Sequence, residues 1–302
     1  MSNDFRPDSP VIQQGLTFYG DYHTHTHFSD GKGTPQQNIA KAYSLGYKNI
    51  AITDHSFRNP FCLTRRSFKQ LSAEIDAERK KYGSDLNILL GIEADPLTTG
   101  GRIDVPKHIA DELDVLLFGY HAFTRTGNFR SYRKIHFTSH MTAYGFKPTQ
   151  RTIDRNTKIM LRCLQNNDID IFVHINDKMI VNTREIANAC ADLGVYLELN
   201  EKHVFLLKDN IEDLLATPVK FIVNSDGHTP EKVGEYPNVC KFINQYNIPP
   251  ERIANMSETV KFRRNYNSIR QQSGRSATKL LYAALQRFKR VTNVNKTDEG
   301  EK

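Results

Sequence analysis

No stretch of this chain approaches the ~20 consecutive apolar residues that a membrane-spanning helix needs. Its opening, MSNDFRPDSP, is too polar to read as a secretory signal. Cysteine is scarce. The four present, Cys62, Cys163, Cys190 and Cys240, lie far apart with none of the paired spacing of a disulfide framework or a thiolate zinc site, so free thiols in a reducing cytoplasm are expected. Acidic residues are nearly missing from two segments. Arg125–Lys158 holds eight Lys/Arg against the single acid Asp154, and Arg263–Lys302 holds ten against three. The second segment alone accounts for the formal net charge of +7, so residues 1–262 sum to zero. A sequence pI of 9.1 therefore reflects two local basic segments, each needing its own explanation.

Histidine is present in quantity, and the stretch that organises the chain is Asp21–Gly31, DYHTHTHFSDG. It follows a short apolar run, Leu16–Tyr22, that reads as the first strand. Alternate residues of a strand face the same way, which puts the Cα atoms of His23 and His25 roughly 6.5 Å apart on one side. Two such imidazoles can share a divalent ion, with Asp30 adding an oxygen ligand just beyond. His27 has the same parity but lies past the expected end of the strand, so it is read as an exposed or supporting residue.

With 302 residues, 38% of them hydrophobic, the chain can bury a large core. Thr34 and Pro35 suit the start of a helix over 36–46, closed by Gly46. Further helices are expected near 64–82, within 98–112, and at 150–167, 183–193, 209–216 and 239–247. Between them fall the apolar runs Asn49–Thr53, Ile88–Ile92, Val115–Tyr120, Ile169–Val173, Val195–Leu199 and Val219–Val223. Seven strands alternating with helices predict parallel pairing through crossovers, and continuous apolar runs fit strands covered on both faces. The class is α/β. A closed or nearly closed barrel is preferred because polar clusters follow strands one, two, three, four, five and seven, and only a barrel brings those ends to one mouth. Closure would set Asp226 and His228 beside His23 and His25. The expected organisation is a flexible N-terminus over 1–14, a barrel over 15–262 and a basic tail over 263–302.

The strand-end residues are His23, His25, Asp30, His55, Glu93, His121, His174, Asp226 and His228, including six of the eleven histidines. Nine nitrogen and oxygen donors exceed what one ion can use. Two or three metals are implied, and the donor set suits Zn²⁺, Mn²⁺ or Fe²⁺.

The pieces DYHTHTHFSDG, AITDHS, GIEAD, FGYH, FVH, LELN and NSDGHTPEKVGEY, in that order, resemble the PHP (polymerase and histidinol phosphatase) superfamily of metal-dependent phosphoesterases over roughly residues 16–260. The likeness is strongest to its stand-alone phosphatases and to the PHP domains of bacterial family X DNA polymerases. The resemblance implies a distorted seven-stranded (β/α)7 barrel with three metals. His23, His25, Glu93 and Asp226 would hold one, and Glu93 would bridge to a second held by His121 and His174. Asp30, His55 and His228 would hold the third. Glu93, Asp226 and His174 are expected to be essential to catalysis. One departure is that His174 is followed by Ile175, Asn176 and Asp177 where the family commonly has His-Pro.

Metals roughly 3.5–4 Å apart would activate a water and clamp phosphate oxygens for in-line attack, with no protein nucleophile needed. Asp54 is read either as an orienter of ligand histidines or as a cap on the turn after it. Arg130, Arg133 and Lys134 are candidate phosphate contacts in the basic segment, while His136 and His140 carry no assignment. In the tail, Leu280, Leu281, Ala284, Leu285, Phe288 and Val291 recur at helical spacing among basic residues. The expected activity is metal-dependent hydrolysis of a phosphomonoester or nucleotide-like phosphodiester. Two rivals are a nucleic-acid-binding module retaining a metal site and an amidohydrolase-like enzyme. A lysine after the fourth strand would favour the latter, but His121 stands there.

Overall fold

A computed structural model of the protein describes residues 7, 9–137, 139 and 147–262. The basic tail over 263–302 and His140 lie outside the described residues.

A hairpin of β1 (Ile12–Gln13) and β2 (Leu16–Thr17) precedes a sheet of seven strands. These are β3 (Gly20–Asp21), β4 (Asn49–Ile52), β5 (Asn87–Ala94), β6 (Val115–Phe118), β7 (Ile171–Phe172), β8 (Tyr196–Asn200) and β9 (Phe221–Asn224). They pair in chain order and every pairing is parallel. A parallel bridge between Thr24 and Gly227 joins the two ends, so the sheet forms a nearly closed, distorted barrel. Helices fill the crossovers, among them α1 (Pro35–Ser44) and α2 (Arg65–Tyr82), each opened by a capping box, on Thr34 and Thr64 respectively.

Two expectations are corrected at the N-terminus. The run Leu16–Tyr22 is not one strand, because it turns from the hairpin into the barrel and only Gly20–Asp21 pairs with β4. Nor is the whole of 1–14 loose. Val11 donates to Leu45, and the Gln13 amide bridges Gly234 and Tyr236, which ties this segment to the body. The basic segment Arg125–Pro148, for which no element was expected, contains a short helix Phe129–Tyr132 running into a π-helical turn Arg133–Phe137.

The strands are buried on both faces. Outward residues such as Ile50, Ile88, Leu116 and Phe221 pack under the helices in the larger apolar cluster. Inward residues form a second, smaller cluster that includes Ala51, Leu89, Val115, Leu117, Ile171 and Ile222. Side-chain alternation then predicts what stands above this plug. Two and four residues beyond Leu89 come Gly91 and Glu93, and the same step leads from Ala51 to His55 and from Ile222 to Asp226. The sequence thus fills one end of the barrel with hydrocarbon and the other with imidazoles and carboxylates. All four cysteines are free, and burial pushes the thiols of Cys163 and Cys190 up, away from the reactive thiolate.

Candidate metal centre

Glu93 occupies the middle of the polar end and is fully buried. Its Oε1 lies 2.7 Å from His174 Nε2 and 3.3 Å from His121 Nε2. Its Oε2 faces the other way, 3.4 Å from His23 Nε2, 3.5 Å from His25 Nε2 and 3.0 Å from His55 Nδ1. Asp226 Oδ1 approaches His25 Nε2 at 3.4 Å and His23 Nε2 at 3.9 Å. On the open side, Asp30 Oδ2 lies 3.4 Å from His55 Nε2 and 3.3 Å from His228 Nε2. All nine strand-end residues read from the sequence are therefore brought together at this end of the barrel.

Two donors on one tetrahedral ion at about 2.0–2.1 Å stand about 3.4 Å apart. The 3.1 Å between His23 Nε2 and His25 Nε2, and most of the contacts above, are close to that separation. Glu93 Oε2, although buried, makes no hydrogen bond of good geometry among its three imidazole neighbours. Three groups of donor atoms lie within 4.8 Å of one another: His23/His25/Asp226, His25/Asp30/His55/His228 and His55/Glu93/His121. The donor set and its spacing fit divalent ions.

The electrostatics agree. Burial disfavours the charged form of His23, but Glu198, Glu93 and Asp226 outweigh it and raise the imidazole well above its ordinary range. His55 is pushed up to about 9 against burial, chiefly by Glu93 and Asp30. His25 goes the other way, down to about 3, through burial and the neighbouring His55. Burial also opposes the charged forms of Glu93 and Asp226, yet the surrounding histidines hold both well below the usual carboxylate range. The carboxylates call for positive charge that protons on imidazoles supply, and divalent ions would displace those protons.

Two of the nine candidate donors adopt backbone angles that favour glycine, His174 at φ +29° and Asp226 at φ +52°. Such conformations cost of order 1–3 kcal/mol and collect at functional sites. His174 directly follows the buried Val173, so an extended backbone would turn its side chain away from the centre. The left-handed turn brings it back. Gly119 makes room for it, because a Cβ there would stand 2.6 Å from His174 Cε1.

The sequence reading missed the groups that aim the ligands. Glu198 accepts from His23 Nδ1 at 2.7 Å and from the His174 backbone N–H at 2.9 Å. Asp95 accepts from the His121 backbone N–H at 2.7 Å and lies 3.2 Å from its Nδ1. Asn200 donates to Glu198 and Asp226. The sixth strand thus does feed the mouth, contrary to expectation. The signal was the alternation of Glu198 and Asn200 within LELN. Asp54 matches neither reading: it accepts from Thr26 and Ser29 in the turn that follows β3, and from no candidate ligand histidine. His27 is exposed against Phe28, and His136 is buried against Tyr120 and Tyr132. Lys202, also missed, sets its Nζ 2.7 Å from His228 Nδ1 and 3.1 Å from Asp226 Oδ1. Arg130 and Arg133 are exposed and Lys134 half-buried on the segment that follows His121.

The model of the PHP domain family matches residues 21–202, about three-fifths of the chain. The chain belongs to the PHP family. Among its relatives, a probable phosphatase of Clostridium acetobutylicum is 26% identical over 248 residues, covering 79% of this chain and 90% of the relative. The probable phosphatase YcdX of Escherichia coli O9:H4 is 27% identical over 247 residues, covering 78% and 89%. Among solved structures, a histidinol phosphate phosphatase from Lactococcus lactis, determined with zinc, L-histidinol and phosphate, superposes with a TM-score of 0.52. It is 19% identical and covers 76% of this chain and 93% of its own, a likeness of fold. The PHP match spans β3 to β8 and leaves Asp226 and His228 beyond its end, so their place in the centre rests on barrel closure.

Proposed function

We propose that this PHP chain is a metal-dependent phosphoesterase that hydrolyses a phosphate ester at a trinuclear centre. One observation carries the reading, namely that Glu93 turns one oxygen to His121 and His174 and the other to His23, His25 and His55. A single carboxylate shared in that way suits a bridge between two ions, with Asp226 completing the first set and Asp30, His55 and His228 forming the third. When bound, divalent ions would activate water and neutralise charge on the phosphate oxygens. Zinc, manganese and ferrous iron all suit these donors.

The chain's own residues do the rest. Glu198 and Asp95 hold His23 and His121 through their second nitrogens, fixing which nitrogen faces the centre. Asp226, Glu93 and Asp30 balance the cations. Lys202, 41% exposed at the rim, offers its ammonium to a substrate phosphate oxygen. Arg130, Arg133 and Lys134 add positive charge from the segment beside His121. The probable phosphatases among the relatives support the ester class.

Metal analysis of the purified protein, with turnover of p-nitrophenyl phosphate, tests the proposal. Glu93→Ala and Asp226→Ala are each expected to lose bound metal and at least a hundredfold in kcat while keeping the far-UV circular dichroism of the barrel. Full activity in either variant would sink the assigned centre.

A further inference from the structure

Beside the metal centre, and not part of it, a cleft of about 760 Å³ opens between the loops that follow β4, β5 and β6. Four guanidinium groups line it: Arg58 after β4, Arg65 at the head of α2, Arg102 after β5 and Arg125 after β6. None of the four has a carboxylate partner among the described residues, and all four are exposed. Lys107 lies at the edge with its charge engaged by Asp111 at 2.7 Å. The one acid on the wall, Asp104, turns inward. It accepts from the Ser56 hydroxyl and from the Asp95 backbone N–H.

Residues 1–262 carry no net charge, so four unpaired guanidiniums around one small volume form a local concentration of like charge. Such a concentration of positive charge favours an anion in the cleft. Guanidinium favours phosphate in particular because it donates paired, planar hydrogen bonds. Apart from Thr64 and Asn167, the rest of the lining is apolar. Phe57, half-buried, offers a ring face to a non-polar body, and Leu97, Ile103 and Ile109 add small exposed edges of hydrocarbon. The volume lies within the 300–1,000 Å³ typical of small-molecule sites, far more than inorganic phosphate fills. The backbone frame is pinned, since Arg125 N–H donates to the Arg58 carbonyl at 3.0 Å and Gly127 N–H to the Leu97 carbonyl at 2.9 Å.

We infer that this cleft is a binding site for a nucleoside di- or triphosphate, with the phosphates on Arg58, Arg102 and Arg125 and the base over the Phe57 side. The site stands whether or not the metal centre hydrolyses esters. It also adjoins that centre, because Asp104 is hydrogen-bonded to Asp95, which in turn holds His121.

The test is fluorescence titration of the full-length, metal-loaded protein with mant-ADP, competed with ADP and with inorganic pyrophosphate. Arg58→Ala combined with Arg102→Ala is expected to weaken mant-ADP binding at least tenfold. Arg125→Glu should do the same. These side chains are exposed, so an unchanged melting temperature will show that the fold is kept. Glu93→Ala, which disrupts the metal centre, is expected to leave mant-ADP binding within twofold. Pyrophosphate should compete at least tenfold more weakly than ADP, since it leaves the apolar lining uncovered. Absence of binding to the wild type overturns the inference. So does binding that survives the arginine substitutions but is lost in Glu93→Ala, which would place the nucleotide on the metals. Pyrophosphate competing as well as ADP would remove the nucleoside from the assignment and overturn it in this form.

Discussion

At the scale of single residues, the donors were legible and their supports were not. Eight of the nine donors sit at or just past the end of an apolar run, with Asp30 in the loop beyond the first, and it is their shared position that made them readable. Asp95 and Glu198 look from the sequence like ordinary acids two residues beyond a ligand or inside a strand. Their role appears only once β5 meets His121 and β8 meets His23. Such supports commonly matter 10- to 100-fold in metal affinity. Asp95→Asn and Glu198→Gln, which keep shape but lose the charge, are therefore expected to weaken metal binding by that factor in a chelator competition while the barrel stays folded. Unaltered affinity in both would show that the imidazoles are aimed by packing alone. Asp104 makes a prediction of a different kind. Burial, aided by the charge of Asp95, pushes its carboxyl up to about 7. A folded-state value above the unfolded one means that the acid form is favoured by folding. Its contribution is full below about pH 4 and is lost as pH rises toward 7. Asp104→Asn removes that loss, so the melting temperature of the variant relative to the wild type should climb between pH 4 and pH 7. A flat difference across that window would contradict the assignment.

At the scale of elements, runs such as Asn49–Ile52 and Thr183–Leu193 were readable to within a residue or two, because their apolar period is strong and their caps are local. The first strand was not, and the reason is physical. Only two residues of β3 pair with β4, and its contact with the last strand is made largely by a side chain. Asn255, fully buried, donates from its amide to the carbonyls of Gly20 and Val223 and accepts from the Val223 N–H. It replaces the ladder that two short strands cannot form, and nothing in PPERIANMS announces this from sequence. Asn255→Ala would leave three buried backbone groups without partners, at about 1–3 kcal/mol for each one not reached by water. A drop in unfolding free energy of about 3 kcal/mol or more by urea titration is expected, and a drop below about 1 kcal/mol would mean that the barrel closes without it. The loop after β7 was also beyond reach. His174, Asn176 and Lys178 all take positive φ, a conformation that no local pattern foretells. The segment after β6 carries a further prediction. Replacing Arg130, Arg133 and Lys134 with alanine should raise KM for p-nitrophenyl phosphate more than it lowers kcat, as expected when ground-state binding is weakened. An unchanged KM would place those charges on solvent and leave Lys202 as the phosphate contact.

At the scale of the whole molecule, net charge divides the chain at residue 262. Residues 1–262 are neutral overall, whereas the last forty residues hold the entire net charge of +7. Every proposed ligand, every residue that aims one and the guanidinium-lined cleft precede residue 263. Deleting residues 263–302 is therefore expected to leave kcat and KM for a small phosphomonoester within twofold. Binding of nucleic acid is where a difference should show. Each duplex phosphate that the protein ceases to neutralise removes about 0.9 from the slope of log affinity against log salt. Ten basic residues leaving together would flatten that dependence visibly if even a few of them meet phosphates. The measurement is a salt titration of oligonucleotide binding to the full chain and to the truncated chain, with p-nitrophenyl phosphate turnover followed in parallel. Equal slopes would mean that the tail touches no phosphates. Loss of small-substrate turnover at an unchanged melting temperature would show instead that the tail reaches the metal centre, and the separation of barrel from tail argued from charge would be wrong.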